Sequence, residues 1–319
     1  MLVMTMWMPS RTGGSVPRTV DGILLLDKPE GLSSNAALQQ VKRLYQARKA
    51  GHTGSLDPLA SGLLPICLGE ATKVSGILLE AVKGYRFACR LGVTTSTGDA
   101  EGEILAERPA DGVSMADIQV VLPRFRGEIQ QVPPMYSALK IGGQRLYDLA
   151  RRGVTVEREP RRVVIYELTV VAYQPPLLTL EVRCSKGTYV RSLAEDIGEA
   201  LGCGAHVAML RRTLAQPFGV DNALTLDALR NRADAGAALD VLLLSVDTAL
   251  RQWPSLVVAA GPARRLCNGQ SVPVQAAAGQ VRLYSDAEEF LGIGEVEPDG
   301  GLSLRRRIRV GGAGGAPPT

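Results

Sequence analysis

Histidine is scarce in this 319-residue chain, which has only His52 and His206. The five cysteines (Cys67, Cys89, Cys184, Cys203 and Cys267) are far apart and form no C-x-x-C pair, so a zinc site has almost no ligand supply. Free buried thiols in a reducing, cytoplasmic compartment are the expectation. No stretch approaches the roughly 18 uninterrupted apolar residues of a membrane-spanning helix. The first twenty residues carry Pro9 and Pro17 where a signal peptide would have its apolar core. Neither a G-x-x-x-x-G-K-[ST] loop nor a G-x-G-x-x-G between strand and helix is present, so no nucleotide cofactor is indicated. A Ser/His/Asp triad has no G-x-S-x-G elbow to support it. Charge of one sign is also lacking: the formal net charge is +4, which permits a polyanionic partner without requiring one.

The composition, 45% apolar, suits a folded chain with a sizeable core. Ile23-Leu24-Leu25-Leu26 reads as a buried strand, and Ser33 or Ser34 caps a helix with Ala37, Leu38, Val41, Leu44 and Tyr45 at helical spacing. Residues 51–62 break into a loop, and a helix is expected over 71–82. From Tyr85 to Leu91 apolar and basic residues alternate as in a strand. Ser114 caps a helix to about 122. Residues 127–160, with Pro133-Pro134, Gly142-Gly143 and Lys140, Arg145, Arg151, Arg152 and Arg158, read as a basic excursion from the core. Strands over 163–173 and 177–184, a helix over 188–201, a strand over 205–212, a helix capped by Thr225 and helical patterning near 237–250 follow. After Trp253-Pro254 short β-like pieces dominate, ending in the cluster Arg305-Arg306-Arg307 with Arg309. The mixture without a regular βα repeat favours an α+β fold. The expected divisions are a flexible extension (1–20), a main domain (21–252) containing the excursion, a small β-rich domain (253–310) and a disordered Gly-Ala-Pro tail (311–319).

The densest chemical signal is Gly51-His52-Thr53-Gly54-Ser55-Leu56-Asp57-Pro58-Leu59-Ala60-Ser61-Gly62. Its glycines and proline specify a fixed loop path, and Pro58 biases Asp57 to an extended backbone. An isolated Asp-Pro is by default an ordinary turn; the length of this loop and its joint Gly, His and Asp content set a functional reading beside that one. In Lys186-Gly187-Thr188-Tyr189-Val190-Arg191, the helix start brings Arg191 where it could pair with a carboxylate, or lie on a solvated face. Tyr85 and Leu210, taken alone, read as apolar strand residues.

These motifs resemble those of the TruB-type pseudouridine synthases, whose loop pattern is G-H-T-G-x-L-D-P-x-A-x-G. Further matches follow in family order: Leu25-Leu26-Asp27-Lys28-Pro29, Leu68-Gly69-Glu70-Ala71-Thr72-Lys73, Met135-Tyr136-Ser137-Ala138-Leu139-Lys140, residues 186–191 and Leu201-Gly202-Cys203-Gly204-Ala205-His206. The resemblance implies a catalytic domain built on a mixed, largely antiparallel sheet flanked by helices. It further implies an RNA-binding thumb over 127–160 and a PUA-like C-terminal domain. Asp57 falls on the catalytic aspartate, Arg191 on its partner, and His52, Tyr85, Tyr189 and Leu210 on positions lining the uridine pocket. Lys28 matches a lysine near the active site.

The implied reaction isomerises uridine to pseudouridine at position 55 of the tRNA T loop. The N1-glycosidic bond breaks, the flipped base turns, and a C5-glycosidic bond forms, with no cofactor or metal required. Asp57 either adds covalently or stabilises a glycal, and Tyr85 helps remove the C5 proton. The expected partner is tRNA, bound by a cytoplasmic monomer that needs no obligatory protein partner. Two rivals are an RNA-binding module without chemistry and a guide-RNA-dependent relative inside a ribonucleoprotein. The retained Asp57, Tyr85 and Arg191 argue against the first, and the long basic insertion against the second.

Overall fold

The computed structural model describes residues 17–309 apart from residue 138. Of the expected terminal segments, the extension up to residue 16 and the whole of 311–319 lie outside the described residues.

The chain opens with β1 (Gly22–Lys28), α1 (Ser34–Leu44), β2 (Ala50–His52) and β3 (Ser61–Leu68). A 3₁₀ turn (Gly69–Lys73) and α2 (Ser75–Glu80) lead into β4 (Lys83–Leu91) and a hairpin of β5 (Val93–Thr95) and β6 (Ile104–Glu107). After α3 (Met115–Val121) and β7 (Gly127–Gln131), the chain leaves the sheet for β8 (Lys140–Ile141), β9 (Gln144–Arg145) and α4 (Leu146–Ala150). It returns through β10 (Arg161–Gln174), β11 (Leu177–Cys184), α5 (Val190–Ala200), β12 (Ala205–Ala215), β13 (Phe218–Gly219), β14 (Leu224–Thr225) and α6 (Leu226–Asp234). The main sheet runs β14-β1-β3-β12-β4-β11-β10-β7, with β2 beside β3 and β13 beside β12. Only the β1/β14 and β3/β12 pairs are parallel, so the sheet is mixed and largely antiparallel. The fold is α+β, as the sequence predicts.

Local rules account for much of this. Ser33 accepts from the Ala36 N–H to start α1, Ser114 and Asp117 form a reciprocal capping box on α3, and Thr225 caps α6. On β4, Phe87, Cys89 and Leu91 are buried while Arg86 and Arg90 are exposed. Leu24, Leu26, Val41, Leu64, Phe87, Leu193 and Ile197 join one core between the sheet and helices α1 and α5. Each such fully buried side chain contributes roughly 1.5–3 kcal/mol.

The structure departs from the sequence expectations at several places, four of which bear on the site's frame. The helix expected over 71–82 is split by Val74 into the 3₁₀ turn and α2, and the patterning near 237–250 forms two 3₁₀ turns (Asp240–Leu242 and Val246–Leu250) instead of a helix. β3, unassigned from sequence, lies inside the sheet despite Pro65, whose carbonyl accepts from the Thr53 N–H at 3.2 Å. The excursion begins after Gln131, because β7 forms the sheet edge against β10.

The C-terminal unit contains β15 (Ser255–Val258), α7 (Ala260–Cys267), β16 (Val272–Pro273), β17 (Gly279–Ser285), β18 (Phe290–Val296) and β19 (Gly301–Arg307). Its sheet order is β15-β17-β18-β19-β16. Ile293 and Ile308 pack with Leu25 and Leu63 of the main sheet, and the Lys73 amine donates to the Arg307 carbonyl at 2.9 Å. Among the described residues, no helix is long and apolar enough to cross a membrane.

Candidate active site

The loop between β2 and β3 is held from several sides. Ser34, in the first turn of α1, accepts from the Leu56 N–H at 2.7 Å and donates to the Leu56 carbonyl at 3.0 Å. The Gly31 N–H donates to the Pro58 carbonyl at 2.8 Å, and the Ala60 N–H closes a turn on the Asp57 carbonyl at 3.1 Å. Lys28 is fully buried, and its amine faces the carbonyls of Pro29 (2.8 Å), Leu32 (2.7 Å) and Pro58 (3.5 Å). Lys28, which the resemblance places near the active site, is thus tied to the loop backbone on the N-terminal side of α1 and feels the charge of Asp57. Burial pushes its amine down to about 8. These contacts fix the backbone on both sides of Asp57 while leaving its side chain 41% accessible.

Arg191 enters from the first turn of α5 and is nearly buried. Its Nη2 lies 2.9 Å from the Asp57 carboxylate and donates to the Tyr136 carbonyl at 2.6 Å. Its Nη1 donates to the Thr97 carbonyl at 2.9 Å and lies 3.5 Å from Asp99. One guanidinium thus joins the Asp57 loop, the turn after β5 and the root of the excursion. Burial lifts the Asp57 carboxyl above the usual carboxylate range, Asp99 adds to the rise, and Arg191 and Lys28 oppose it.

Asp99 escaped the sequence reading. It is 3% exposed, and its Oδ1 accepts from the Thr97 hydroxyl at 2.5 Å and the Glu101 N–H at 3.1 Å. The run Thr97-Gly98-Asp99-Ala100-Glu101-Gly102 was its signal, a second Gly/Asp-rich loop like residues 51–62. Gln131 was missed as well. Its buried amide accepts from the Tyr189 N–H at 3.0 Å and donates to the Tyr189 carbonyl at 3.2 Å. That clamp fixes the chain entering α5, whose N-cap Tyr189 makes no side-chain cap of its own.

Tyr85 on β4 is half-buried and stands directly across from Val182 of β11 and Arg212 of β12. Burial raises its phenol, while the charge of Arg212 pulls the other way. His52 is half-buried at the end of β2; burial and the charge of Arg212 lower its imidazole, keeping the ring neutral near pH 7. Its Nδ1 is buried without a hydrogen-bond partner among the described residues. Leu210, opposite Phe87, is 6% exposed and belongs to the main core. Asp57 is thus paired with Arg191, Tyr85 lies within the electrostatic reach of Asp57 and Arg212, His52 feels the charge of Arg212, and the Tyr189 backbone is clamped two residues before Arg191. Among the described residues no His, Cys, Asp or Glu group is placed to hold a metal ion.

Behind the site, one turn along α5 from Arg191, Glu195 packs against Gly98. Burial, with Asp196 next to it, pushes its carboxyl up to about 7 from 4.5, against the pull of Arg191. A carboxyl raised by folding stabilises fully below its unfolded value, and that contribution is lost as pH rises through about 7. Glu195→Gln, neutral throughout, is therefore expected to gain on the natural chain between pH 5 and 8, reaching about 2 kcal/mol more stability at the upper end. Denaturant unfolding at both pH values checks this; a pH-independent difference would refute it.

Comparison with known proteins gives a consistent result. Residues 42–190 match the model of the TruB family pseudouridylate synthase N-terminal domain. Residues 191–251 match the tRNA pseudouridylate synthase B C-terminal domain, and 254–308 the pseudouridine synthase II TruB C-terminal model. The chain is 55% identical over 298 residues to tRNA pseudouridine synthase B of Pseudomonas aeruginosa (strain UCBPP-PA14), covering 92% of this chain and 98% of that protein. It is 53% identical over 292 residues to the protein of the same name from Nitrosococcus oceani, covering 91% and 95%. Among solved structures, a chain of a Cbf5-Nop10-Gar1 complex superposes with a TM-score of 0.69 at 26% identity, over 90% of this chain and 85% of that one.

Proposed function

The chain belongs to the TruB family of pseudouridylate synthases, and from that premise we propose that it converts uridine 55 in the tRNA T loop to pseudouridine, with Asp57 as the catalytic carboxylate. It is an isomerase acting on tRNA. The observation that carries the role of Asp57 is its pairing with the buried Arg191 at 2.9 Å while its other side stays open to the crevice.

The reaction needs a carboxylate held ionised although burial disfavours its charge. Arg191 supplies the opposing charge, and the contacts at Leu56 and Pro58 set the direction of attack. From there Asp57 either adds to the nucleotide or stabilises the glycal formed when the N1–C1′ bond breaks. The target base leaves its stack at a cost of a few kcal/mol, offset by stacking and polar contacts in the pocket. Tyr85 and Tyr189 supply those contacts, and Tyr85 receives the C5 proton. Lys28 and Gln131 act at one remove, by fixing the backbone that carries Asp57 and Tyr189. The protein works as a cytoplasmic monomer without an obligatory protein partner. Purified protein incubated with an unmodified tRNA transcript is expected to form pseudouridine at position 55 alone; no modification, or modification only with an added guide RNA, would overturn the reading.

The excursion after Gln131 serves as the thumb that grips RNA, and the C-terminal unit is a PUA-like accessory domain. Arg151 stacks over the Tyr147 ring at 5.5 Å, and Arg152 is held by the Gln144 side chain at 2.7 Å, so both exposed guanidiniums stand pre-ordered in the turn after α4. Replacing both with alanine is expected to weaken tRNA binding and reduce the salt slope of log K by about 2, leaving single-turnover chemistry at saturating protein near normal. Filter binding across a salt series measures it, and an unchanged slope would count against phosphate contacts there.

A further inference from the structure

Arg212 is the largest fully buried side chain among the described residues, at 1% exposure. A guanidinium so deeply buried normally has a carboxylate partner. Here its Nε donates to the Leu63 carbonyl at 2.7 Å and its Nη2 to the Gly54 carbonyl at 3.1 Å, with no ion pair among the described residues. Its direct cross-strand neighbour is Tyr85. The nearby Lys28, Lys83 and His52 all feel Arg212 as a repelling cation. Lys83 is itself buried, its amine shared among the carbonyls of Leu78, Leu79 and Ala81. Several buried cations therefore lie near the 51–62 loop, and of these Arg212 has no ion pair among the described residues.

We propose that Arg212 is a positioning residue for turnover: its buried guanidinium, cross-strand from Tyr85 and without a carboxylate partner, fixes the Tyr85 hydroxyl and supplies the counter-charge for a Tyr85 phenolate during C5 deprotonation. The proposal rests on the reading of Tyr85 as the acceptor of that proton. Tyr85 first gives its own proton to water. Once C5 has joined the sugar, the phenolate takes the C5 proton and the C–H electron pair restores the C5–C6 double bond. N1, released from the sugar, receives a proton, so none is gained or lost overall. An unperturbed phenol is a poor base near pH 7. The groups bearing on it are Arg212 from β12, Cys184 from β11 and Asp57 from the loop; burial, the thiol and the carboxylate all disfavour a phenolate. Arg212 alone of these favours it. The same side chain grips the Gly54 carbonyl, so the cross-strand neighbour of Tyr85 is anchored to the loop that carries Asp57.

The test uses the full-length protein and C5-tritiated tRNA under single-turnover conditions. Arg212→Lys keeps a charge in the cavity but loses the fork, while Arg212→Met loses both. Arg212→Lys is expected to slow turnover at least about tenfold with tRNA affinity changed less than about threefold, and to move the rising limb of the pH profile to higher pH. In a Tyr85→Phe background, the same substitution is expected to cost no more than about twofold, because its route of action is already gone. A purely structural Arg212 would slow Tyr85→Phe by the same factor as the natural chain and leave the pH limb in place, and either result overturns the proposal. Near-full turnover by Tyr85→Phe alone would instead remove the underlying reading of Tyr85, which separates the two failures.

Discussion

Asp57→Asn is expected to bind tRNA as the natural chain does and to lose pseudouridine formation by on the order of 10⁴-fold or more. The carboxamide fills the same space, and the loop contacts at Leu56, Pro58 and the Asp57 carbonyl use no atom of the side chain. What goes is the negative charge, and with it the capacity to bond to the nucleotide or to stabilise the developing cation. Stability should not suffer. The carboxyl is raised by burial, so its ionised form costs folding free energy at neutral pH, and that cost vanishes in the amide. The thermal midpoint is therefore expected to stay level or rise as activity disappears. In the natural chain the same raised carboxyl is expected to make turnover fall as acid protonates Asp57, at a pH above the ordinary carboxylate range. Tritium release, filter binding and a melting curve on one preparation test all of this. Residual turnover within tenfold of normal would remove Asp57 from its assigned role.

The sequence was most legible where structure is decided locally. Ser33, Ser114 and Thr225 announce helix starts because each cap needs only its own next three residues. β4 shows its alternation because one of its faces is exposed. β3 does not, because it is covered on both faces, so its apolar run carries no period and Pro65 argues against a strand. The candidate site divides in the same way. Asp57 and His52 stand out in a loop whose Gly and Pro content marks it. Asp99 becomes important only through Arg191, and Gln131 only through Tyr189, 58 residues further along the chain. Arg212 looks like any basic strand residue until the register places it opposite Tyr85 and beneath Gly54. Such roles arise from tertiary contacts, and no short window of sequence contains them.

Arg191→Ala is expected to reduce turnover by about 10³-fold and folding stability by about 3 kcal/mol. The two losses have different sources. Arg191 is buried, and its removal orphans the Thr97 and Tyr136 carbonyls and leaves Asp57 and Asp99 without the cation between them. The uncompensated pair raises the Asp57 carboxyl further, so the remaining activity should recover as pH rises, an effect that lost folding alone would not produce. Arg191→Lys separates charge from geometry. A single ammonium keeps one positive charge but cannot span Asp57, Asp99 and two carbonyls at once. It should regain part of the stability, with turnover still at least about tenfold low and tRNA affinity unchanged. Adding Asp99→Asn to Arg191→Ala removes one of the two stranded charges and should restore stability without restoring the aim of Asp57. Normal turnover by a folded Arg191→Lys protein would show that one charge near Asp57 suffices, and that the four-way grip of the guanidinium does not matter to catalysis.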